Sequence, residues 1–134
     1  MASAILLSLT SAGFSVTISV LYEGYKMVDN INIDNLQKLC VDGKIKWTTH
    51  VLMRLQERGV QPSDVKSVIM QGEIIEQYPT DHPHPSCLVY GLDVSGKILH
   101  VVVGVGNGLI WLITAYYPDA EHWEADYKTR RRQK

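Results

Sequence analysis

In the stretch WTTHVLMRLQERGV, residues 47–60, His50, Arg54 and Arg58 recur at every fourth position. At 3.6 residues per turn that interval sets all three along one side of a helix. On a wheel of residues 49–58, Val51, Leu52 and Leu55 make the apolar stripe. His50, Arg54, Glu57 and Arg58 lie roughly opposite, so the row points away from a core. An imidazole can move a proton near neutral pH, and two guanidiniums beside it can hold a phosphate and the charge that develops on it. Cleavage of RNA through its 2′-hydroxyl needs those parts and no metal, so no cofactor is expected. The plain alternative is a solvated polar face on which Glu57 partners the cations.

A second imidazole, His100, sits in ILHVVV, alternating with Ile98 and Val102 on one face of a strand. If Gly106–Gly108 form a three-residue loop, Val105 pairs with Leu109, His100 lies across from Thr114, and Tyr116 is diagonal to it. A slip of one residue would bring Ile113 opposite instead. His100 and Tyr116 are therefore candidates to assist His50, against the reading of a satisfied, half-buried strand histidine. The loop TDHPHPSC offers Asp81, His82, His84 and Cys87, chemically able to ligate a metal, but no second ligand pair stands at a recognised spacing. It reads as a stiff loop. Gly104, Gly106 and Gly108 lie between strands, where turn glycines belong, and not between strand and helix as nucleotide-binding glycines do.

Charge is unevenly spread. The net charge of −1 combines +5 in the last eight residues with −6 in residues 1–126. Arg54 and Arg58 are the only arginines outside that tail. Guanidinium pairs with phosphate through two parallel hydrogen bonds, so arginine placement matters more than the total. Lys128, Arg130 and Arg131 could add RNA contacts, or simply suit the negative end of a terminal helix. An acidic body with a basic tail fits a protein that meets RNA on one limited surface. Cys40 and Cys87 are far apart and unpaired in spacing, which supports neither a disulfide framework nor a four-cysteine zinc site and suggests the cytoplasm.

The elements that must position these residues follow from periodicity and turn chemistry. A short amphipathic helix runs from Asn32 or Asp34 to Gly43, and KIKWT reads as a short strand or extended entry. Thr48 or Thr49 caps the next helix and Gly59 closes it; Ser63 caps a third that stops at Gly72. Four β-rich segments follow, EIIEQYP, CLVYGLDV, KILHVVVGV and LIWLITAYY, and then AEHWEADYKTRRR as a terminal helix started by Asp119. Segregated helices and strands, with the four strands as an antiparallel meander and a C-terminal helix after them, mean an α+β fold. One domain is expected over 27–134. Residues 1–26 carry no charge before Glu23 and fit neither a secretory signal nor a membrane span. Glu23-Gly24 must be encoded by a purine run resembling a ribosome-binding site, so the chain is expected to start at Met27, with residues 1–26 a mis-assigned start or a disordered extension.

The segments HVLMRLQERGV, GEIIEQYP, LHVVV and ITAYYPDAEHWEADY together resemble a bacterial and archaeal family of unknown function grouped with RelE-like and barnase-like ribonuclease folds. The likeness covers about residues 44–132. It implies a compact RelE-like toxin domain of a toxin-antitoxin system, with helices packed on one face of a four-stranded antiparallel sheet, acting as a metal-independent endoribonuclease. Such a domain is often encoded beside a zinc-finger antitoxin of the YgiT or MqsA type. His50, Arg54 and Arg58 match the family's helix motif, His100 its central strand, and Thr114, Tyr116 and Trp123 its closing strand and helix. The alternative is a non-catalytic module that holds RNA or a protein on the same charged helix face.

Overall fold

The computed structural model describes residues 30–132. The expected start at Met27 and the tail residue Lys134 lie outside the described residues. Helix α1 (Ile33–Val41) begins where the Asn32 side chain accepts from the amides of Asp34 and Asn35, and it buries Leu36 and Cys40. Gly43, at φ +72°, turns the chain out of it. Strand β1 (Ile45–Lys46) leads into α2 (Thr49–Glu57), whose Thr48 hydroxyl accepts from the Val51 amide. Gly59, at φ +71°, closes α2 while the Val60 amide returns to the Leu55 carbonyl at 2.9 Å. Helix α3 (Pro62–Gln71) is capped at Gln61 and not at Ser63: Pro62 takes the first helical position and the Asp64 carboxylate reaches back to the Gln61 amide at 2.9 Å.

Four longer strands follow: β2 (Glu73–Tyr78), β3 (Ser86–Leu92), β4 (Ile98–Gly106) and β5 (Leu109–Tyr116). The expectation of a four-stranded antiparallel sheet is corrected here. The sheet has five strands in the order β1-β5-β4-β3-β2, and β1 runs parallel to β5 with Ile45 beside Ile110. Once Gly43 ends α1, the Lys44 carbonyl is free to accept from the Ile110 amide at 2.8 Å, and this fastens the entry segment along the edge of β5.

One face of the sheet carries Cys87, Val89, Leu99, Val101, Val103, Ile110, Leu112 and Ala115. These pack with Leu36, Val51, Leu55, Val65, Val68 and Ile69 from the three helices into a single core. The β4–β5 register differs from the three-residue loop expected. Asn107 and Gly108, at φ +55° and +72°, make a two-residue turn that pairs Gly106 with Leu109. A bulge between Leu112 and Thr114 then adds one residue to β5, so His100 faces Tyr116 directly and Thr114 faces Val102. The two shifts together move the register by two residues, which keeps His100 on the face it was assigned.

The terminal helix is also corrected. Asp119 does accept from the amides of Glu121 and His122, starting one turn. The Asp126 carboxylate then captures the amides of Lys128 and Thr129, and Tyr127 goes to φ +55°. A short acidic side chain that takes backbone amides in this way competes with the helical ladder and breaks it. The segment folds back instead, with Trp123 bridged to Arg130, and lies across the sheet face opposite the helices.

Candidate functional site

The row on α2 forms as its spacing predicts. Val51 and Leu55 are buried in the core, and His50, Arg54, Glu57 and Arg58 are exposed. With 1.5 Å of rise per residue, His50 and Arg54 stand about 6 Å apart along the axis and Arg58 about 6 Å further on. Exposed Met53 lies beside His50 and Arg54 on the same surface. Arg58 is the residue that ends the helix, and its side chain does not trail into solvent. Its Nη1 donates to the Thr114 hydroxyl at 2.7 Å and to the Ala115 carbonyl at 3.0 Å, both on β5. Thus the α2 row meets the β5 edge just beyond the two residues that β1 covers.

His100 and Tyr116 do not join that row. They lie on the other face of the sheet, and His100 is fully buried. Its Nε2 stands 2.7 Å from the Tyr127 carbonyl, which can only accept, so Nε2 carries the proton. Nδ1 is then left to accept from the Tyr116 hydroxyl at 3.3 Å. Trp123 covers the ring edge-on at 4.5 Å between centroids. Burial holds the His100 pKa below its ordinary 6.5, although the Tyr127 carbonyl and Glu76 pull it the other way. Both ring nitrogens are committed and no face is open to a substrate. This imidazole fastens the C-terminal segment to the sheet.

The three basic side chains considered for RNA contact are occupied by carboxylates. Lys128 Nζ sits 2.7 Å from Glu73, and Arg130 grips Glu76 through Nε at 2.8 Å and Nη2 at 3.1 Å while stacking over Trp123. Arg131 meets Glu124 at 3.1 Å and the Ala120 carbonyl at 2.6 Å. Glu76 also accepts a close hydrogen bond from Tyr78. Burial of Glu76 opposes its charge, but Arg130 and Tyr78 outweigh that and leave its pKa lowered. The same bond, with burial as the larger cause, pushes Tyr78 up to about 12.

The His-Pro-His-Pro loop does not gather ligands. Cys87 is buried in the helix-side core, His84 stacks on Trp111, and the Asp81 carboxylate accepts from Ser86 at 2.6 Å. A Cβ on Gly106 would stand 2.1 Å from the His84 ring, so that glycine makes room for the stack. Among the described residues the one group of close ligand atoms is Asp119, Glu121 and His122, all exposed. There Asp119 is already the acceptor of its own turn.

A family described as Domain of unknown function (DUF4258) matches residues 47–117, more than half of the chain. The chain belongs to that family. No curated protein and no solved structure matches it. The DUF4258 match begins just before α2 and ends just after β5, so it contains the α2 row, Thr114, His100 and Tyr116. It excludes α1 and the C-terminal segment with Trp123, Lys128, Arg130 and Arg131. The elements that build the α2–β5 junction are therefore those of the DUF4258 domain itself. Sequence reasoning missed Thr114 as a partner of Arg58, because the bulge that brings it to the edge has no signature in ITAYY. None of the helices among the described residues is long and apolar enough to cross a membrane.

Proposed function

We propose that this DUF4258 protein is a metal-independent endoribonuclease of the toxin type, with its site on the outer side of α2. The observation that carries the reading is that His50, Arg54 and Arg58 share one exposed helix face although none is needed for the core. Arg54 and Arg58 would hold the non-bridging oxygens of one phosphodiester and offset the charge gained there in the transition state. His50 would take the proton of the attacking 2′-hydroxyl. The 2′-oxygen bonds to phosphorus, the bond to the 5′-oxygen breaks, and the leaving oxygen takes a proton from water. The products are a 2′,3′-cyclic phosphate and a 5′-hydroxyl end.

In this reading the partner is an antitoxin from a neighbouring gene, covering the α2 face. Its test is direct: purified protein is incubated with labelled RNA in EDTA, and the product ends are identified. Cyclic-phosphate ends made by the wild type and not by His50→Ala support the assignment; 3′-hydroxyl ends, or equal cleavage by the variant, defeat it.

A second reading draws on a different observation. Lys128, Arg130 and Arg131 are all paired with carboxylates, which takes those three cations out of the footprint and leaves it smaller. A small footprint suits a module that binds RNA or a protein without turning it over. Saturable, salt-sensitive RNA binding with no product over hours would favour it.

A further inference from the structure

Arg54 and Arg58 both belong to the α2 row, but only one of them is fixed. The Nη1 of Arg58 spends both its hydrogens on β5, one on the Thr114 hydroxyl at 2.7 Å and one on the Ala115 carbonyl at 3.0 Å. Two acceptors on one nitrogen fix the plane of the guanidinium as well as its position. What remains is Nε–H and the two hydrogens of Nη2, on the side of the fork whose two parallel N–H bonds match two oxygens of a phosphate. Arg58 is exposed, and among the described residues neither its Nε nor its Nη2 makes a hydrogen bond.

The strand is shaped to make this contact. Leu112 and Ala115 are three residues apart, yet both face the helix-side core. Regular alternation would send one of them to the opposite face, and the extra residue in β5 is what lets both turn inward. Ile113 and Thr114 are left between them, Ile113 exposed and Thr114 half-buried. Since β1 covers only Ile110 and Trp111, the β5 edge at Thr114 and Ala115 is open for Arg58 to reach. The Thr114 oxygen accepts from Arg58 and keeps its own hydroxyl proton for another acceptor.

We infer that Thr114 is a positioning residue that presets Arg58 as a two-pronged grip on a phosphodiester of single-stranded RNA. The inference rests on the RNA-cleaving reading for its substrate class. It divides the labour between the arginines: Arg58 arrives already ordered, and Arg54 adjusts. The rotamer freedom a long side chain gives up on seizing an anion is surrendered by Arg58 before the ligand arrives.

The full chain, a fluorescently labelled single-stranded RNA, binding by anisotropy and cleavage in EDTA together test this. Thr114→Val should weaken binding about tenfold and lower kcat/KM by at least as much, because Arg58 also meets the charge of the transition state, and Thr114→Ser should restore both. In an Arg58→Ala background Thr114→Val should add nothing, because it acts only through that arginine. Thermal unfolding of each variant separates loss of fold from loss of grip. Wild-type affinity in Thr114→Val, no rescue by serine, or an equal loss with and without Arg58 overturns the inference. Binding that responds to Thr114 without any cleavage leaves it standing and overturns the nuclease reading. Absence of RNA binding by the wild type overturns both.

Discussion

His50 is the residue whose removal should cost chemistry without costing structure. It is exposed in the first turn of α2 and contributes nothing to the core, so His50→Ala should leave the unfolding midpoint within the small range of surface substitutions. A positioned acid or base contributes about 10²- to 10⁴-fold, and the RNA cleavage rate should fall by that much. Tyr116 is expected to behave in the opposite way. Tyr116→Phe removes the donor to His100 Nδ1 and leaves a buried acceptor unsatisfied, at a cost of about 1–3 kcal/mol, with RNA cleavage by the folded fraction unchanged. Urea unfolding paired with an activity assay checks both. A Tyr116→Phe protein that is fully stable but inactive would move the site to the other face of the sheet. At this scale the α2 row was legible, because helical spacing and the apolar stripe of Val51 and Leu55 together fix which way His50 points. The fate of His100 was not, since its partners depend on a bulge and on a carbonyl 27 residues away.

Among the elements, the C-terminal segment makes the clearest case for tertiary structure overriding local preference. Asp119 and the basic run both favour a helix there, and one turn does begin. What stops it is Asp126, and what stabilises the folded-back path is where it delivers its side chains: Trp123 onto His100, Arg130 onto Glu76, Lys128 onto Glu73. Trp123 is 3% exposed, so Trp123→Ala should cost about 3–5 kcal/mol, read from chemical denaturation. A loss below about 1 kcal/mol would show that the segment is not fastened as described. The helices and the four longer strands were readable because their periodicity is strong over many residues. Strand β1 was ambiguous because two residues carry no period, and its place in the sheet depends on a hydrogen bond from Ile110, 66 positions along the chain.

For the whole molecule, the sheet divides two kinds of histidine. His50 faces water on the helix side, while His100 is sealed on the other and is held neutral by burial. Because the native pKa of His100 is depressed below 6.5, the unfolded chain takes up its proton first as pH falls. The stability this group contributes is therefore fully present above pH 6.5 and is lost progressively as pH drops below it toward the native value. Urea midpoints should fall from pH 7.5 to pH 5, and His100→Gln should flatten that slope; an unchanged slope would mean that His100 is not the group responsible. Asp93 acts lower on the scale. Burial opposes its charge, but hydrogen bonds from Tyr117, Lys97 and Ser95 bring its pKa down to about 2, so its contribution survives until well below the ordinary 3.8.

The central claim is that an imidazole and two guanidiniums on the exposed side of α2 cleave RNA together without a metal. Its most direct test is the rate at which purified protein cuts a labelled single-stranded RNA in excess EDTA, compared between wild type and His50→Ala/Arg54→Ala at matched folded concentration. The wild type should generate 2′,3′-cyclic phosphate ends, and the double variant should fall at least about 100-fold while keeping its unfolding midpoint. Cleavage by the folded double variant at the wild-type rate, or a wild-type activity that vanishes in EDTA, would contradict it.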